Sequence, residues 1–224
     1  LFTRDERGFA VETEGPDGAR ARFDVPYVFG LDPLQQLLLP TERGRLQALS
    51  VAWDARARRW YSLYPDERID ARDPLHWTKP AQNWNFVCAE CHATELKRNY
   101  DAANDTYATT WKRLDVGCQA CHGPAERHLD WALGRTDEEP ASGHGFDAPL
   151  AVPQSFVEVE ACARCHARRA PLGDGFDHRN RLLDDYLPAL LTEELYRADG
   201  QIQDEVYEYG SFLQSKMYTS GVTC

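Results

Sequence analysis

The sequence predicts an α+β fold: a small N-terminal antiparallel β unit over residues 1–66, then a mainly helical, irregular domain over residues 67–224. Three observations carry this reading. Apolar and polar residues alternate in the first 66 positions, which hold no Cys. Six of the seven Cys fall further on, in three copies of one short motif. Apolar residues make up 42% of the chain, an ordinary globular value, and they never form the run of about 18 that a membrane helix needs.

The elements follow in order. Phe9, Val11 and Thr13 alternate with polar residues, Gly15-Pro16-Asp17-Gly18 supplies a turn, and Ala19, Ala21, Phe23 and Val25 alternate again, which is a hairpin pattern. Leu49, Val51 and Trp53 alternate in the same way, as do Trp60, Ser62 and Tyr64 after a polar turn at 54–58. This gives a unit of four to six strands, read as a structural cap in preference to a lid or docking face. Aromatic residues become dense beyond Pro65, with Trp77, Trp84, Phe86, Tyr100, Tyr107 and Trp111. Tyr107, Thr109 and Trp111 alternate and predict a short β excursion. Helices are expected near 118–133, interrupted at Gly123-Pro124, and near 156–168, 188–197 and 204–219.

Charge excludes one class of partner. Lys plus Arg total 25 against 36 Asp plus Glu, a formal net charge of -11. Nucleic-acid binders show a basic stripe, so none is expected, and a docking partner should present a basic or neutral face. Leu1 is not an initiator Met and the chain ends on Cys224. The sequence reads as a mature or trimmed piece of a longer polypeptide.

The motifs are Cys88-Ala89-Glu90-Cys91-His92, Cys118-Gln119-Ala120-Cys121-His122 and Cys162-Ala163-Arg164-Cys165-His166. C-x-x-C-H is the attachment signature of c-type haem. Two thiols on one turn reach the two vinyl groups of the porphyrin, and the next residue offers its imidazole to the iron as proximal ligand. Zinc sites also use C-x-x-C, but in pairs and without a following His. A thioredoxin-like motif needs one such pair beside a βαβ unit, and disulfides do not account for the His. With only seven His in the chain, His after all three second cysteines is not chance.

His92, His122 and His166 are therefore the proximal ligands. His76, His128, His144 and His178 remain for the opposite side of the iron. A single Met, Met217, limits His/Met ligation to one haem, so bis-His coordination of comparatively low potential is expected. His128 leads these candidates, because Gly123-Pro124 breaks the turn after His122 and a new helical stretch carries His128 towards another haem. His76 follows in the turn Asp73-Pro74-Leu75-His76-Trp77, then His178 after Phe176-Asp177, then His144 between two glycines. A five-coordinate haem, open to chemistry, is the alternative for at least one site. Cys224 is expected to be the first thiol of a fourth haem motif, with a free thiol or an intermolecular disulfide as the alternatives.

Leu75-His76-Trp77, Gln82-Asn83-Trp84-Asn85, the three motifs, Cys121-His122-Gly123-Pro124 with His128, and the stretch from Tyr209-Gly210-Ser211-Phe212 to Met217-Tyr218 form a set. Together they resemble bacterial multihaem cytochromes c, a group often followed by tetratricopeptide repeats and related to hydroxylamine-oxidoreductase-like proteins. The resemblance runs from about Tyr27 onwards without the tetratricopeptide part. It implies closely stacked haems with mostly His/His ligation and electron transfer in the periplasm or outside the cell. It also implies continuation beyond Cys224 into a further motif.

The leading expectation is an electron carrier with at least three haems c, working with redox partner proteins. One alternative is a multihaem oxidoreductase acting on a small nitrogen or sulfur compound, for which the sequence holds no dedicated signature. Another is a subunit of a homo-oligomer, haem filament or larger redox assembly.

Overall fold

A computed structural model describes residues 1–136, 143–146, 148, 150 and 156–224. The fold is α+β, with antiparallel sheets first and short helices after them. Packing divides the chain into two compact units, Leu1–Asp115 and Val116–Cys224.

The first unit opens with two antiparallel sheets. β1 (Phe2–Asp5), β2 (Gly8–Glu14) and β3 (Arg20–Asp24) form one; β4 (Tyr27–Phe29), β5 (Leu34–Pro40), β6 (Leu46–Asp54) and β7 (Arg59–Ser62) form the other, in sequence order. The expected hairpin is β2–β3, closed between Glu14 and Arg20, with Gly15 N–H donating to Ala19 O at 2.8 Å. β6–β7 is the second expected pairing, with Trp53 opposite Trp60. The N-terminal region thus carries seven strands where four to six were expected.

β5 explains how the unit is layered. Leu37, Leu38 and Leu39 are all buried, although alternate residues of a strand point to opposite faces. Both faces are covered. Leu37 and Leu39 pack with Val11, Val25, Leu49 and Trp77. Leu38 packs with Phe29, Leu46, Trp84 and Ala89, on the side that carries the first motif.

That motif rides on α1 (Trp84–Val87) and α2 (Ala89–His92). Asn83 caps α1, its side chain accepting from Phe86 N–H at 3.0 Å. Asn85, almost wholly buried, accepts from Leu46 N–H at 2.6 Å and donates to Thr109 Oγ1 at 2.8 Å. The Gln82-Asn83-Trp84-Asn85 segment therefore fastens the motif to β6. The expected β excursion is a small hairpin, β8 (Tyr100–Asp101) and β9 (Thr106–Tyr107), continued by a bridge between Lys97 and Thr110. Asp105 in its turn accepts from Arg43, Arg45 and Tyr100, and these bonds hold its carboxyl below the usual range.

In the second unit the expected helix at 118–133 is α3 (Cys118–His122) and α4 (Glu126–Ala132), broken where Gly123 takes φ 77°. α5 (Phe156–His166) carries the third motif. β10 (Arg169–Pro171) pairs with β11 (Tyr186–Pro188), which follows α6 (Leu182–Asp185) directly. α7 (Tyr209–Leu213) and α8 (Lys216–Thr219) complete the order. Ala163, Ala167, Leu182 and Tyr186 form the core between them.

Two helix expectations differ. Residues 188–197 do not form a helix: β11 leads into Ala189, whose N–H donates to Arg168 O at 2.8 Å, so the chain is pinned to the strand edge. The span 204–219 is two short helices, because Ser215 leaves the helical conformation and caps α8 by accepting from Tyr218 N–H at 3.1 Å. No helix among the described residues is long and apolar enough to cross a membrane.

Candidate haem-attachment sites

The residues between the cysteines show how each motif turn is seated. In the first motif Ala89 is fully buried, and Glu90 beside it meets Arg98 at 2.6 Å with both side chains 8% exposed. In the third, Ala163 and Arg164 are buried. Arg164 donates to Asp177 O at 3.1 Å and Asn180 O at 2.8 Å and lies over the Phe176 ring. Burying an ionised side chain is costly unless it is paired and hydrogen-bonded: Glu90 pairs directly with Arg98, and Arg164 has Asp185 at 3.9 Å besides its two carbonyls, while its Nε finds no acceptor among the described residues. The two middle positions thus anchor these turns, while His92 and His166 lie on the exposed side and the cysteines between. In the second motif both cysteines are exposed.

Around the first motif the wall is aromatic. Phe29 meets His92 edge-on at 5.6 Å between ring centroids, Trp84 meets Trp111 at 5.3 Å, and Trp111 meets Tyr27 at 5.3 Å. Burial pushes the Cys88 thiol up to about 11, with Cys91 adding to it. Desolvation by the surrounding protein lowers the pKa of His92, although the residue as a whole is exposed. The indole N–H of Trp84, fully buried, finds no acceptor among the described residues.

The second motif is ringed by its own unit. Phe146 lies between two imidazoles, 4.9 Å from His122 and stacked at 4.0 Å on His128. His128 Nδ1 is 2.9 Å from His144 O. A carbonyl only accepts, so Nδ1 carries the proton and Nε2 keeps its lone pair. His144 itself stacks on Trp131 at 4.5 Å. The turn that presents its carbonyl depends on Gly145: φ is 89°, and a Cβ there would stand 2.8 Å from His128 N and 2.9 Å from Arg127 O.

His178 lies against the same motif, Nε2–H donating to Ala120 O at 3.2 Å. It helps line a cleft of about 220 Å³ with Cys121, Val157, Ala161 and Arg164, so the second and third motifs border one space. Burial first, then the nearby Cys224, raises the Cys162 pKa, and Cys121 contributes as well. At the end of α5, His166 Nδ1 lies 3.0 Å from Glu208 Oε2, a contact that lowers the Glu208 pKa.

His76 stands in the first unit with different partners. It is 4% exposed, its Nδ1 is 2.9 Å from Thr78 Oγ1, and Thr78 N–H donates to that same nitrogen at 3.4 Å. The proton then sits on Nε2. Burial lowers its pKa. Met217 is exposed on α8.

The donor sets fit haem c. Every motif offers two thiols on one helical turn and an imidazole immediately after them, and His128 is held in the tautomer an iron ligand requires. Sequence reasoning found the thiols and imidazoles but not their support: Arg98, Gly145, Phe146 and Glu208 belong to no motif. Only the charges at Glu90 and Arg164, inside the motifs, hinted that partners would be needed.

Residues 50–123, about a third of the chain, match the family model for cytochrome c554 and c-prime. The matched span takes in the first two motifs. It supports a c-type cytochrome with covalently bound haem c, a function in electron transfer, and redox partner proteins. The crystal structure of the outer cell wall cytochrome OcwA aligns with 77% of this chain at 19% identity, with a TM-score of 0.36. The chain spans 29% of that structure's length, and a likeness at this level carries no argument. No curated protein matches the chain.

Proposed function

We propose that the chain is a multihaem electron carrier, with haems attached at Cys88 and Cys91, Cys118 and Cys121, and Cys162 and Cys165. The carrying observation is the seating of the first and third motif turns: alanine and a paired charge face the protein, and the ligand His lies outward. When bound, haem supplies an iron that takes up and gives back single electrons. The chain's own residues hold it, ligate it, exclude water from its faces and set its potential.

His92, His122 and His166 are the proximal ligands in this reading. His128 is an axial ligand on the opposite side of an iron, with His144 O as the acceptor that orients it; partners of this kind fix the tautomer and raise basicity. His144 serves through its carbonyl and His76 as a buried structural residue, since it is almost wholly buried and its Nδ1 lone pair is taken by Thr78. His178 is a second axial candidate, supported by its place beside the second motif. The common cleft of the second and third motifs supports close packing of their haems. Cys224 is assigned to a further haem as the cysteine left outside the three motifs. The strand-rich residues 1–66 act as a cap and residues 67–224 as the haem-bearing part, a division supported by composition and motif placement. An exported setting, periplasmic or extracellular, goes with this function.

Intact mass and a pyridine haemochrome assay test it. The polypeptide should carry at least three haems that survive acid denaturation. Haem extractable into organic solvent, or zinc in its place, overturns the proposal.

A further inference from the structure

His166 ends α5, and its Nδ1 lies 3.0 Å from Glu208 Oε2. The ionised carboxylate can only accept, so Nδ1 donates and Nε2 keeps its lone pair. Both side chains are well exposed, 65% and 72%. A pair of that kind adds little to stability, yet the position of Glu208 is fixed from both sides. Before it, Arg168 N–H donates to Val206 O at 3.2 Å, and the Arg168 guanidinium donates to Asp204 Oδ2 at 3.0 Å and Glu205 O at 2.9 Å. Val206 between them is 2% exposed. After it, Glu208 O accepts from Phe212 N–H at 2.8 Å in the first turn of α7, and Tyr209 packs on the core formed by Ala163 and Leu182. Arg168 lies two residues beyond His166, so the segment that brings the carboxylate is tied back to the end of the helix that carries the imidazole.

A carboxylate on the distal nitrogen of a metal-bound imidazole raises the ligand's basicity. It also places negative charge near the iron. Both effects favour Fe(III) over Fe(II). We propose that Glu208 is a positioning residue for the third haem, orienting His166 and setting that haem at a lower potential than a neutral partner would. The inference rests on haem attachment at Cys162 and Cys165.

The test is Glu208→Gln in the haem-loaded chain, followed by spectroelectrochemistry and ferric EPR. One component of the redox titration should move to higher potential while the others hold, and one low-spin signal should change its g-values. Glu208→Asp should restore part of the shift. Arg168→Gln keeps the carboxylate but loosens it, and should give a smaller shift of the same sign; it carries the test if Glu208→Gln fails to load haem. A loaded variant with unchanged components overturns the inference, as does an equal shift of every component, which would be a general charge effect. A chain with no covalent haem at Cys162 and Cys165 overturns the haem reading itself.

Discussion

The charge at the second intervening position of the first motif is a structural commitment. Glu90 and Arg98 are 8% exposed and 2.6 Å apart, and losing one partner strands the other in a poorly solvated site. Arg98→Ala should therefore cost about 3–5 kcal/mol of stability. Replacing both by apolar residues of similar size, Glu90→Leu with Arg98→Met, should cost far less. Denaturant melts of the single and double variants check this; equal losses would show that the burial penalty is not at issue. His128 makes a different kind of commitment. His128→Ala should turn one haem high-spin and raise its potential, because a strong nitrogen donor to ferric iron is lost. Gly145→Val should weaken the same low-spin signal, since its side chain displaces the turn that supplies His144 O. Unchanged absorption and EPR spectra in both variants would return His128 to a structural role. The motif cysteines and histidines were legible because covalent attachment fixes their spacing. Gly145 and Glu208 were not, since each acts across a gap in sequence that only folding closes.

At the level of elements, local signals told most where the chain's own pattern decides. The β2–β3 hairpin and α5 were readable from alternation and from the motif. The span 188–197 was not, because the Ala189 backbone bond to Arg168 and the strand before it override the helical bias of Leu190 and Leu191. β5 could not be read as doubly covered either: Leu37-Leu38-Leu39 looks like a short apolar run, and only the packing shows one leucine supporting the motif side and two the opposite side. Leu38 is fully buried against Trp84 and Ala89. Leu38→Ala should destabilise the first unit by about 2–5 kcal/mol, and the loss should fall on the element that seats Cys88 and His92. The measurement is an unfolding curve followed by absorbance of the first haem. If that signal melts together with the wild type, Leu38 does not support the motif.

For the whole molecule, the net charge of -11 governs encounters with redox partners. Opposite charge steers a partner in and raises the association rate, and salt removes the effect as the Debye length falls to about 8 Å at physiological ionic strength. Packing cannot compensate, because small redox reagents form no lasting interface. A cationic oxidant such as a cobalt or ruthenium ammine complex of suitable potential should therefore take electrons from the reduced protein in a reaction that slows as salt is added. An anionic cyanide complex should show the opposite slope, its rate rising as repulsion is screened. The two slopes, measured by stopped flow on haem-loaded protein, separate charge steering from driving force, because salt dependence compares each reagent only with itself. Slopes of the same sign would mean that the haem edges see a local field unlike that of the whole chain, and the expectation of a basic or neutral docking face on the natural partner would fall with them.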